Sequence, residues 1–236
     1  MNLKSINHTS DPHWRGLYIT GVWAGLAMLG IMVLQITIFT AWPPPQTTEG
    51  FFELFQQSWP LGLLSMDLLY IFNNMLLIPI YLALYAALKR EAESAMLIAL
   101  VLGLVGIAAY FASNTSLEML SLSNQYAAAT SDAQRTALLG AGHAMLATYR
   151  GTVFDANYVL NVAALLIMAW VMLRSQVFSK TTAWFGLTAG ILMIIPSTAG
   201  IIGLVFSLLS LVPWAVFLVL VMRRLLRLDP SKSPSV

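Results

Sequence analysis

Cysteine is absent from all 236 residues. Disulfides, thiolate metal sites and a cysteine nucleophile are thereby excluded. Charge is scarce: 9% of residues are Asp, Glu, Lys or Arg, where a soluble domain carries about 25%. So little charge cannot coat a water-facing surface, and an apolar fraction of 58% must face something other than water. The formal net charge of +2 is too small to imply nucleic-acid binding. The chain also lacks a P-loop, a GxSxG elbow, a dinucleotide fingerprint and an HExxH pair. No lysine falls inside an apolar run, because Lys4, Lys89, Lys180 and Lys232 are all peripheral. That excludes a retinal Schiff base. No run carries an arginine ladder of the voltage-sensor kind. No cofactor is expected.

What the chain does have is a series of long apolar runs. A bilayer core of about 30 Å needs roughly 20 helical residues, and runs of this order fall at 16–41, 61–88, 94–113, 152–173, 181–198 and 201–226. The first is longer than the roughly 7–15 residues of a signal-peptide core, so it reads as an uncleaved span. Pro43, Pro44 and Pro45 end it, since consecutive prolines lack the amide donors of a helix. The next stretch, 46–60, mixes Phe51, Phe52, Leu54, Phe55 and Trp59 with Glu49, Glu53, Gln56 and Gln57. That pattern suits a short amphipathic segment on the membrane surface. The second run holds Asp67, Asn73, Asn74 and Pro79. Its Leu, Ile and Phe residues return about 6 kcal/mol of insertion energy against about 3 kcal/mol for a central Asp. That covers Asp67 but leaves little for two Asn and Pro79, so the run is expected to insert with help from its neighbours and to turn its polar side to protein. The polar connection 114–150 reads as two helical pieces divided around Thr130, Ser131 and Asp132, with Ser131 or Asp132 as N-cap of the second.

The fold expected is all-α: an integral membrane bundle of six transmembrane helices, with an additional helical outer connection between spans 3 and 4. Residues 1–228 form one transmembrane domain and 229–236, rich in Ser and Pro, a disordered tail. Orientation follows from the basic residues. With the N-terminus inside, Lys4, Arg15, Lys89, Arg90, Arg174, Lys180, Arg223, Arg224, Arg227 and Lys232 fall on the cytoplasmic side, along with His8 and His13. Arg135 and Arg150 fall outside.

Polar groups kept inside lipid-spanning helices are costly and are the first candidates for function. Asp67, Tyr70, Asn74, Tyr81 and Tyr85 recur at helical spacing on one face of the second run. Asp155, Tyr158 and Asn161 come close to one face of the fourth. Glu118, His143 and Arg150 belong to the outer connection. The candidate ligand-binding cluster is therefore Asp67, Tyr70, Asn74, Glu118, His143, Arg150, Asp155, Tyr158 and Asn161, converging on a polar cavity between spans 2 and 4. The competing reading is structural: Arg150 pairs with Asp155 or Asp67, and the asparagines join helices. A zinc site on Asp67, Glu118, His143 and Asp155 is the sharper variant, but no ligand spacing motif supports it. Gly21/Gly25, Gly103/Gly106 and Gly186/Gly190 read as close-packing positions.

Several stretches carry a family resemblance. YFASN at 110–114, SNQYAAATSDAQRTALLGAGHAMLATYRGTVF at 123–154, VMLRSQVFSKTTAWFGLTAG at 171–190, and LLSLVPWAVF followed by RRLLRL together resemble the bacterial membrane proteins grouped as domain of unknown function 4386. Before Tyr110 the resemblance rests on hydropathy. It implies a bacterial multi-span membrane protein and assigns no catalytic residue. Three functions follow as expectations: a non-enzymatic membrane module (accessory, sensor or structural), a transporter or ligand-binding bundle, and an intramembrane enzyme acting on lipid. The third requires His143 within a few ångströms of a carboxylate. The expected partner is the lipid bilayer, joined by a small-molecule ligand only under the second reading; no nucleic acid is expected.

Overall fold

A computed structural model describes residues 14–228. The expected tail 229–236 and the segment bearing His8 and His13 lie outside these residues. Among the described residues the chain forms nine helices: α1 (Arg15–Ala41), α2 (Thr48–Gln57), α3 (Trp59–Ser65), α4 (Leu68–Ser113), α5 (Ser116–Ala128), α6 (Asp132–Tyr149), α7 (Thr152–Arg174), α8 (Lys180–Leu192) and α9 (Gly200–Arg227).

Four helical runs among the described residues are long and apolar enough to cross a membrane, not the six expected: Arg15–Ala41, Leu68–Ala128, Asp132–Arg174 and Gly200–Arg227. The chain is a multi-span helical membrane protein, and two of its expected spans fail for different reasons. Runs 61–88 and 94–113 are joined end to end as two helical arms rather than divided by a loop. Most of both belongs to α4, 46 residues interrupted by the non-helical backbone of Ala92 (φ −159°, ψ 74°). The expected span 181–198 becomes α8, which has 13 residues. At 1.5 Å per residue it rises about 20 Å, short of a bilayer core of about 30 Å.

The chain divides into two compact units, and α1, α4 and α7 contribute to both. The first comprises the described parts of Met1–Ala27, Leu76–Leu104 and Leu160–Val236. Here α4 folds back at Ala92. A Cβ on Gly103 of the second arm would lie 2.3 Å from the Tyr81 ring of the first, so the arms touch where glycine leaves room. Small residues repeat this device. Gly186 lies against Phe217 and Ala169, Gly190 against Leu166, and Gly25 against Met222. Helix α8 packs on α9. The buried centre includes Leu84, Met96, Met168, Phe217 and Val221.

The second unit comprises Met28–Met75 and Val105–Val159. Thr47 caps α2 by accepting from the Gly50 amide at 3.1 Å, and Ser131 caps α6 by accepting from the Gln134 amide at 3.3 Å. The two helical pieces read in 114–150 are α5 and α6. Phe51, Phe52 and Phe55 of α2 are buried with Leu63, Met66, Met119 and Leu146. The apolar face of α2 is thus covered by α3, α5 and α6 rather than by lipid. Gly142 of α6 permits the approach, since a Cβ there would lie 2.5 Å from Thr48. Burying three phenylalanines in protein is favourable by about 1.5–3 kcal/mol each, which fixes α2, α3, α5 and α6 as a packed layer.

Candidate functional site

Helix α3 ends at Ser65 and α4 begins at Leu68, so Met66 and Asp67 form a two-residue junction. Asp67 adopts φ 59°, ψ 30°. It has positive φ without being glycine, in a region where Cβ crowds the following carbonyl. Aspartate tolerates this conformation better than most residues, and the turn it makes lets α4 start in a new direction.

Three side chains hold the junction. The Tyr149 hydroxyl, at the end of α6, donates to the Asp67 carboxylate. The Tyr110 hydroxyl donates to the Asp67 carbonyl at 3.4 Å. The Asn114 amide donates to the Met66 carbonyl at 3.0 Å, while its oxygen accepts from the Ser116 hydroxyl at 2.7 Å. An aromatic series extends from this point. Tyr70 and Tyr110 have ring centroids 6.3 Å apart, Tyr110 and Phe154 6.3 Å, and Phe154 and Tyr158 6.1 Å. Tyr110 is buried, whereas Asp67, Tyr70, Phe154 and Tyr158 keep part of their surface accessible.

The other candidates have different surroundings. Asn74 is buried and donates to the Tyr70 carbonyl of its own helix at 2.9 Å. Glu118 is exposed in the first turn of α5. His143 is exposed on α6, with Nδ1 2.8 Å from the Leu139 carbonyl one turn earlier. It precedes Tyr149 by six residues, about 9 Å along the helix axis, so the phenol and not the imidazole reaches Asp67. Arg150 donates to the Pro45 and Gln46 carbonyls, both at 3.4 Å. That differs from the carboxylate pairing weighed for it above. Asp155 lies partly buried in the first turn of α7. Asn161 belongs to the first unit, where it accepts from the Tyr81 hydroxyl at 2.8 Å. Among the described residues, Asp67, Glu118, His143 and Asp155 do not form a group that could hold a metal ion.

Three residues that contact the junction, Tyr110, Asn114 and Tyr149, were not among the sequence candidates. Their signal lay elsewhere: YFASN begins and ends on Tyr110 and Asn114, and Tyr149 stands in the AMLATYR stretch. Two of the segments that carry the family resemblance thus supply the residues that hold the Asp67 junction. No curated protein and no solved structure matches the chain. The family model described as domain of unknown function (DUF4386) matches residues 22–226, which extends the resemblance through α1 and the first arm of α4, and the chain belongs to that family.

Proposed function

We propose that this protein is a multi-pass module of the bacterial plasma membrane, with both termini in the cytoplasm, that holds a small ligand at Asp67 on its outer side without chemically converting it. The observation that carries the reading is the Asp67 junction: a backbone cost of about 1–3 kcal/mol is retained where a carboxylate meets aromatic side chains. Strain of this sort concentrates at ligand clamps and switch regions. The ligand-contacting set in this reading is Asp67 with Tyr70, Tyr158 and the rings between them.

The charge partition supports the orientation. The first unit holds Arg15, Lys89, Arg90, Arg174, Lys180, Arg223, Arg224 and Arg227 against Glu91 and Glu93. The second holds Arg135 and Arg150 against Glu49, Glu53, Asp67, Glu118, Asp132 and Asp155. Basic loops stay cytoplasmic, and the Arg224 bond to the Val177 carbonyl supports α8 beginning and α9 ending on that one side, although α8 alone is too short to cross.

Two measurements test the proposal. Because the chain has no cysteine, single cysteines report topology without background. His143→Cys is expected to react with a membrane-impermeant maleimide in intact cells, and Lys180→Cys only after permeabilisation; the reverse pattern refutes the orientation. For the ligand, a thermal-unfolding panel of cationic, anionic and neutral small molecules is expected to contain at least one that stabilises the wild type and not Asp67→Asn. A panel with no such compound in any charge class leaves Asp67 as a structural joint.

Transport is a second reading, favoured by Pro79 inside α4 and Pro213 inside α9, where missing amide bonds create hinge points. Uptake into proteoliposomes that disappears in Asp67→Ala supports it, and undiminished flux in that variant removes Asp67 from it.

A further inference from the structure

Asp67 has no basic partner among the described residues. Its carboxylate is met by the Tyr149 phenol, while Arg150, next to that tyrosine, spends its guanidinium on the Pro45 and Gln46 carbonyls. A carboxylate drawn out of water is stabilised far more by a cation than by a phenol alone. The neighbouring surfaces share its sign. Tyr70, Tyr110, Phe154 and Tyr158 form a contiguous series of rings, and the face of an aromatic ring is the negative part of its quadrupole.

The carboxylate and the ring faces attract positive charge and repel an anion. We infer that the ligand held at Asp67 is a small organic ammonium ion, its charge against the Asp67 carboxylate and the ring faces. The inference rests on the reading above that Asp67 holds a ligand, and it supplies that ligand's chemical class. A bare metal ion fits less well, since ring faces cannot replace its oxygen shell and the nearby acids do not form a metal-binding group.

The test uses the full chain in detergent, titrated separately with butylammonium chloride and tetramethylammonium chloride, with thermal unfolding and calorimetry as readouts. Butanol, sodium butyrate and sodium chloride are the controls. Both ammonium ions are expected to raise the unfolding temperature in a saturable way, and the controls are not. Asp67→Asn, which preserves shape, is expected to weaken both by about tenfold or more, the loss of one charge-assisted contact. Tyr70→Leu is expected to weaken tetramethylammonium about fivefold. If Tyr70→Leu fails to fold, Asp67→Asn still decides the cation assignment. An equal response to sodium chloride, or none to either ammonium ion, overturns the inference. An Asp67-dependent response to butyrate or butanol overturns the ammonium class and leaves the ligand-binding reading intact.

Discussion

A non-glycine residue in the left-handed region costs roughly 1–2 kcal/mol through crowding of Cβ against the next carbonyl. Asp67 stays there because Tyr149 and Tyr110 bond its carboxylate and its carbonyl. Tyr149→Phe is therefore expected to destabilise the protein by about 1–2 kcal/mol, the value of a hydrogen bond to a charged group reduced for partial exposure. Denaturant unfolding measures it, and an unchanged midpoint means that the phenol does not hold the junction. Asp67→Asn keeps an acceptor and tolerates positive φ, so it is expected to cost less than about 1 kcal/mol. Asp67→Val loses the acceptor and adds β-branching, so it should cost more than either. At this scale the sequence revealed part of the site. An Asp in an apolar run stands out by composition, which is why Asp67 was singled out. Its partners did not, because Tyr110 and Tyr149 lie 43 and 82 residues away and a tyrosine near a membrane face is unremarkable until something is seen to touch it.

Among the elements, α4 depends most on one small contact. Gly103 faces the Tyr81 ring, whose hydroxyl is bonded to Asn161 at 2.8 Å. The ring cannot swing aside without breaking that bond. Gly103→Ala is expected to cost about 1–3 kcal/mol, as overpacking does in well-filled cores. Tyr81→Phe alone should cost about 1 kcal/mol for the lost hydrogen bond. The double variant should lose less than the two combined, since a ring without its hydroxyl bond is free to shift; strict additivity in a thermal-unfolding cycle would show that the two positions do not interact. The sequence made Gly103 legible as a packing position, but it did not name the surface packed against. For α2 the amphipathic pattern was readable, and its alternating Phe and Glu residues fit a membrane surface as well as a protein core. The choice fell to Met119 of α5 and Leu146 of α6, which bury the phenylalanines.

For the whole molecule, charge is the organising variable. Lys89 and Arg90 stand just before the Ala92 interruption of α4, with Lys89 over the Trp14 ring at 4.4 Å. If basic residues set the orientation, the variant Lys89→Glu with Arg90→Glu should lower the fraction of His143→Cys that labels in intact cells. Full labelling would assign the orientation to the α9 cluster instead. Membrane class, helical content, helix caps and the segregation of basic residues were all fixed by the sequence itself, because composition, periodicity and capping are local properties that each residue carries wherever the chain goes. The number of separate spans was decided only in three dimensions. Hydropathy marks apolar runs, but it does not say that Ala92 interrupts one long helix or that α8 stops after 13 residues. The Asp67 junction was likewise a tertiary decision, since its geometry is held by side chains from the second arm of α4 and the end of α6, and only folding brings contacts so distant in the chain together.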